Sequence, residues 1–321
     1  MLRTALITGI TGQDGSYLAE LLLSLGYEVH GVVRPGSSSS RIAHLAGQKL
    51  ILHPADMTDQ PALLRVLDAV RPAEVYHLAA CSYVPDSWRS TVATSEVTAL
   101  GTARLLESIR EVDRTIRFCQ AGSSQMFGRP DESPQNEATP FRPQSPYAAA
   151  KCYAHWLTAA YREEFGIFAC GAILYNHESP RRGLQFVTRK ITSTAARIRL
   201  GQAEKLVLGN LDARRDWGFA GDYVRALWLM LQHDRADDYV IGTGRTHSVR
   251  ELLELAFSHL GLDYRAYVSR DAALARRSDG AILVGDASKA RRILNWQPEV
   301  DFAELVRMMV EADLRTCRSA H

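Results

Sequence analysis

The chain has 321 residues, 46% of them apolar and 23% charged, with a formal net charge of +2. That length allows one large domain or two modest ones with real cores, and the near-neutral charge gives no support for a nucleic-acid or membrane surface. No apolar stretch approaches the ~18 residues of a membrane span and no signal-peptide pattern opens the chain, so a cytoplasmic protein is expected.

Residues 4–8, followed by glycines at 9, 12 and 15, read as a buried strand running into a tight turn. Leu18, Leu21, Leu22 and Leu25 then recur at helical spacing, and Gly26 marks the stop. Strands are expected at 29–33, 50–52, 75–78, 116–121 and 167–174, with helices at about 63–70, 91–111 and 147–165. Short strands alternating with longer helices predict an α/β fold: a Rossmann-type, doubly wound parallel sheet. The rhythm loosens after 175, and helices return at 223–231 and 250–260. The expected division is a dinucleotide-binding domain over 1–175, with return segments from about 213–243, and a smaller, partly interleaved substrate domain over 176–321.

The five cysteines, at 81, 119, 152, 170 and 317, show neither CxxC nor Cys/His spacing. No metal is expected, and such usage suits a reducing compartment.

The spacing Gly9, Gly12, Gly15 is a GxxGxxG variant of the dinucleotide fingerprint. Set between a strand and a helix, it lets the backbone approach a pyrophosphate lying at the positive end of the helix. The second strand ends in Arg34 rather than in a carboxylate that would hold a ribose hydroxyl. A guanidinium matches a 2′-phosphate, so NADP is expected in preference to NAD.

Only five of the 38 basic residues are Lys, yet one, Lys151, lies four positions after Tyr147, so both share one helix face behind the entry signal Ser145-Pro146. A Tyr-Lys pair suits oxidation of an alcohol: the phenolate takes the hydroxyl proton while hydride leaves carbon, and a nearby ammonium favours the phenolate. Ser123, at the end of the 116–121 strand, would share that hydrogen bond.

These residues together resemble the extended short-chain dehydrogenase/reductases that act on sugar nucleotides, and within them the GDP-mannose 4,6-dehydratase branch. The resemblance covers nearly the whole chain, through ALITGITGQDGSYLAELLL, EVYHLAACS, SPYAAAKCYAHW, NHESPRRG, FVTRKIT, RDWGFAGDYV and LNWQPE. It implies a cofactor shell of Gly9, Gly12, Asp14, Gly15, Arg34, Asp56, Met57, Leu78, Ala79, Ala80, Tyr147, Lys151, His177 and Arg182. It implies contacts to a nucleotide-diphosphate sugar from Ser82, Ser124, Asn176, Lys190, Arg215 and Arg277, and a homodimer or homotetramer built through the 91–111 and 147–165 helices.

Two departures stand out. The family's Thr-Ser-Glu motif is here Ser123-Ser124-Gln125, and its Arg-Pro-Ala-Glu element is Arg277-Ser278-Asp279-Gly280. In the family the glutamate removes the proton on sugar carbon 5 after carbon 4 has been oxidised; an amide is not a base. The preferred expectation is therefore 4-epimerisation of a GDP- or ADP-linked manno-configured hexose or heptose, for which Ser123, Tyr147 and Lys151 suffice beside Gln125. The alternative is a GDP-mannose 4,6-dehydratase that uses another base or carries an introduced Gln125. A non-catalytic NADP-binding regulator is the remote third.

Overall fold

The structure, a computed structural model, describes residues 3–274 and 282–319. The first half alternates strand and helix: β1 (Thr4–Thr8), α1 (Gln13–Ser24), β2 (Glu28–Val33), β3 (Leu50–Pro54), α2 (Gln60–Val70), β4 (Glu74–His77), α3 (Val84–Arg89), α4 (Thr91–Ser95), α5 (Gly101–Val112), β5 (Arg117–Ala121), α6 (Pro146–Phe165) and β6 (Ala169–Leu174). The second half holds β7 (Asn176–Glu178), α7 (Val187–Arg199), β8 (Leu206–Leu208), β9 (Arg214–Arg215), β10 (Trp217–Phe219), α8 (Ala220–Gln232), β11 (Asp238–Ile241), β12 (His247–Ser248), α9 (Val249–His259), β13 (Val268–Arg270), α10 (Ser288–Leu294) and α11 (Phe302–Ser319).

Seven strands form one parallel sheet in the order β11-β6-β5-β4-β1-β2-β3. The chain works outward from β1 to β3, then crosses back to place β4 on the other side of β1. Between β1 and β4 it therefore leaves a crevice at their carboxyl ends, where such sheets bind ligands. Both faces of the inner strands are covered, which explains their unbroken apolar runs. Ala5 and Ile7 join the core beneath α1 and α8, with Leu18, Leu22 and Leu227, while Leu6 joins the opposite core with Leu63, Leu67 and Leu105. A third cluster, with Ile191, Trp217, Leu253, Phe257 and Val310, lies among α7, α9 and α11.

The predicted 91–111 helix is interrupted. Residues 96–100 run as a π-helical turn between α4 and α5. Hydroxyls explain part of this: Thr91, Ser95 and Thr102 bond back to carbonyls four residues earlier, and Thr98 Oγ1 accepts the Cys81 N–H at 3.2 Å.

Candidate active site

The glycine turn meets its geometric requirements. Gly9 has φ +71°, and a Cβ there would fall 2.8 Å from the Ala79 nitrogen. A Cβ on Gly15 would fall 2.4 Å from the Gly9 carbonyl oxygen, so its absence lets α1 start directly against the end of β1. Gly12 closes the turn by donating its N–H to Gly9 at 2.9 Å. The first turn of α1 is also tied to β7: Asp14 pairs with His177 at 2.8 Å, and Gln13 donates to the His177 carbonyl at 3.0 Å. Burial alone would raise the Asp14 carboxyl, but the charge and hydrogen bond of His177 outweigh it and hold Asp14 below its usual range. His177 is raised in return, although its own burial opposes this.

Ser145 caps α6 by accepting the Ala148 N–H at 3.1 Å, and Pro146 fills its first position. This start points Tyr147 and Lys151 inward, 7% and 3% exposed. Burial pushes the Tyr147 phenol above its ordinary value; a hydrogen bond from Ser123 and the charge of Arg182 oppose that rise. The pattern of residues predicts a phenol acidified by Lys151, and in the structure desolvation is the larger effect. Lys151 Nζ lies 5.9 Å from the Tyr147 ring centroid and donates to the Ala121 carbonyl at 2.6 Å. Its own pKa is brought down to about 8 by burial.

A cavity of about 1470 Å³ joins these parts, more than one small ligand needs. Its lining includes the glycines, Asp14, Arg34, Asp56, Met57, Leu78, Ala79, Ala80, His177 and Arg182 from the expected cofactor shell. Ser123, Gln125, Tyr147 and Lys151 line it too, with Ser82, Asn176, Lys190 and Arg215 from the expected substrate contacts. The glycine cradle, the helix end behind it and Arg34 at the end of β2 fit a nicotinamide dinucleotide. Ser124 is a correction: it is 2% exposed and does not line the cavity, because the backbone turns after Ser123 and points it inward, where its carbonyl accepts the Phe127 N–H. Arg277 lies outside the described residues. The sequence reading missed Tyr83, Trp88, Gln185, Phe186 and Trp217, which also line the cavity. None sits in a spaced motif, although Phe186 opens the FVTRKIT stretch and Trp217 lies within RDWGFAGDYV.

The profile of the GDP-mannose 4,6 dehydratase family matches residues 6–309. GDP-mannose 4,6 dehydratase 2 of Arabidopsis thaliana is 52% identical, over 98% of this chain and 88% of that protein. The belonging is decided by that match. The chain is a member of the GDP-mannose 4,6-dehydratase family. The human GDP-mannose 4,6 dehydratase is 47% identical, over 98% of this chain and 92% of its own length. Among solved structures, the dTDP-glucose 4,6-dehydratase DesIV of Streptomyces venezuelae, with NAD and TYD bound, superposes with a TM-score of 0.88 at 25% identity, covering 99% of this chain and 98% of that one.

As a member of this family the protein is a nicotinamide-dependent enzyme that modifies nucleotide sugars, and the non-catalytic reading falls away. The relatives favour the dehydratase alternative over the preferred epimerase expectation. Gln125 still stands where the GDP-mannose 4,6-dehydratase pattern has a carboxylate. Among the described residues, the carboxylates lining the cavity are all engaged: Asp14 with His177, Asp56 with Thr58, and Glu178 with Thr188.

Proposed function

We propose that the protein binds NADP, oxidises carbon 4 of a GDP-linked manno-configured sugar, and carries it on to a 6-deoxy-4-keto product. The convergence of Ser123, Tyr147 and Lys151 on the cavity that holds the glycine turn supports this reading. Ser123 and Tyr147 hold the carbon 4 hydroxyl, and the phenol oxygen relays its proton. Bound nicotinamide supplies the acceptor and later the donor of hydride. The new ketone acidifies the carbon 5 proton. Gln125 cannot take it, so a different group must accept it, and this step limits turnover. The carbon 6 hydroxyl then leaves with a proton as water, and the product forms when the hydride held by the cofactor is returned to carbon 6 and a proton to carbon 5.

The second reading, 4-epimerisation, draws on one observation: an amide rather than a carboxylate at position 125 lines the cavity. Arg34 supports NADP over NAD, and Asn176, Lys190 and Arg215 on the second half of the cavity suit a diphosphate. The domain division follows: the sheet holds the dinucleotide, and the part built on α7, α9 and α11 holds the nucleotide sugar. The test is NMR of products from GDP- and ADP-linked manno-hexoses and manno-heptoses. A 6-deoxy-4-keto sugar is expected. Inversion at carbon 4 with carbon 6 intact overturns dehydration in favour of epimerisation.

A further inference from the structure

Tyr83, just before α3, and Phe186, just before α7, are 103 positions apart, yet their rings meet edge to face, with centroids 5.4 Å apart at 80°. Both line the cavity. The face of Phe186 carries the Arg182 guanidinium, whose central carbon lies 3.5 Å from the ring centroid. Arg182 Nε is buried and 3.2 Å from the Glu178 carboxylate, but off the line of a hydrogen bond. Glu178 is itself held by Thr188 of α7 at 2.6 Å. Arg182 thus forms no side-chain hydrogen bond among the described residues, and its place in the cavity wall is set by the ring beneath it and the carboxylate behind it.

We propose that Tyr83 and Phe186 form a clasp between the sheet-bearing part and α7 that positions Arg182 against the dinucleotide and slows its escape. The inference rests on the NADP reading above and extends it to retention. The reaction needs such a device. Hydride taken from one sugar returns to the same sugar, so a cofactor lost between the two transfers strands an oxidised intermediate. Edge-to-face packing and a guanidinium on a ring each contribute attraction beyond simple burial, and both vanish when the ring is replaced by an aliphatic side chain of similar bulk. Tyr83 and Phe186 are positioning residues, because they act through Arg182.

The test is NADPH dissociation from the full chain, followed by stopped-flow fluorescence on displacement with excess NADP. Tyr83→Leu and Phe186→Leu should each speed dissociation about 3- to 10-fold. The double variant should be no faster than the faster single one, and Tyr83→Phe, which keeps the ring, should match wild type. In an Arg182→Gln background Tyr83→Leu should add nothing, a result that a general loss of folding or a direct Tyr83–cofactor contact does not produce. Should Phe186→Leu fail to fold, the Tyr83 and Arg182 variants alone close the cycle. Additive effects, or unchanged rates in the leucine variants, overturn the clasp while leaving the NADP reading intact. A wild-type chain that does not bind NADPH overturns both.

Discussion

Lys151 Nζ donates to the backbone carbonyl of Ala121 at 2.6 Å, tying the second turn of α6 to the last residue of β5. That bond brings the Ser123 segment and the Tyr147–Lys151 face together, since Ser123 follows Ala121 by two residues. It also leaves a buried ammonium with no carboxylate against it. Burial brings Lys151 down to about 8, and the distant Asp14 charge only partly offsets this. The unfolded chain therefore holds its proton up to higher pH than the folded one. The penalty for burying the charge is fully present below pH 8, and it fades as pH rises from there toward 10.5, the ordinary lysine value. Lys151→Met should then raise stability at pH 7 by up to about 3 kcal/mol, less the lost hydrogen bond, with the gain shrinking by pH 10. The same variant should lose about 10²-fold or more in turnover. Thermal melts at pH 7 and pH 10 check the first statement. A gain that grows with pH contradicts the desolvation argument.

On the dehydratase reading, the amide at 125 should make removal of the carbon 5 proton the slow step. A substrate deuterated at carbon 5 should show a primary isotope effect on turnover, whereas deuterium at carbon 4 should show little. Gln125→Glu restores a positioned base and should accelerate dehydration by about 10²- to 10⁴-fold. Tyr147→Phe should abolish turnover in either background. An unchanged rate in Gln125→Glu removes position 125 from the reaction.

The inner sheet was readable because its strands are buried on both faces: alternate residues such as Leu6 and Ile7 enter different cores, and both must be apolar. The short strands of the second half were not, since two or three residues, as in β9 and β12, give no periodicity. The π-helical turn at 96–100 escaped for a related reason. One extra residue barely disturbs an apolar repeat, and what favours it includes a hydroxyl partner on a distant segment, Cys81. At the site, the residues in spaced motifs line one cavity. Ser124 does not, because neighbours in a motif need not share a face when the backbone turns between them. Tyr83 carried no local signal, and the FVTRKIT stretch gave no hint of what Phe186 touches, because their meaning lies in a contact across 103 positions.

Arg34 follows the last residue of β2, its side chain exposed at the cavity edge, and its carbonyl is bonded by the N–H and hydroxyl of Ser37. The backbone there is fixed, and the exposed guanidinium at the cavity edge is placed to meet a phosphate. Arg34→Ala should weaken NADPH binding at least 10-fold and leave NADH binding nearly unchanged, as competitive titration would report. Equal losses for both cofactors assign the residue to something other than the 2′-phosphate.

The helix that carries Tyr147 and Lys151 has a second face. At 100° per residue Trp156 points about 180° away from Tyr147, and it is 61% exposed. Tyr153 stands on the same outer side, and Val92, from α4 packed beside α6, is 76% exposed. Large apolar side chains clustered on neighbouring helices are costly in water, and a second copy of the chain would cover them. The protein should therefore be at least a dimer in solution, assembled through this face. Val92→Glu combined with Trp156→Glu should give a monomer by light scattering while preserving NADPH binding, because both residues face away from the cavity. A wild-type chain that is monomeric at micromolar concentration leaves the patch without its partner and sinks the assembly argument.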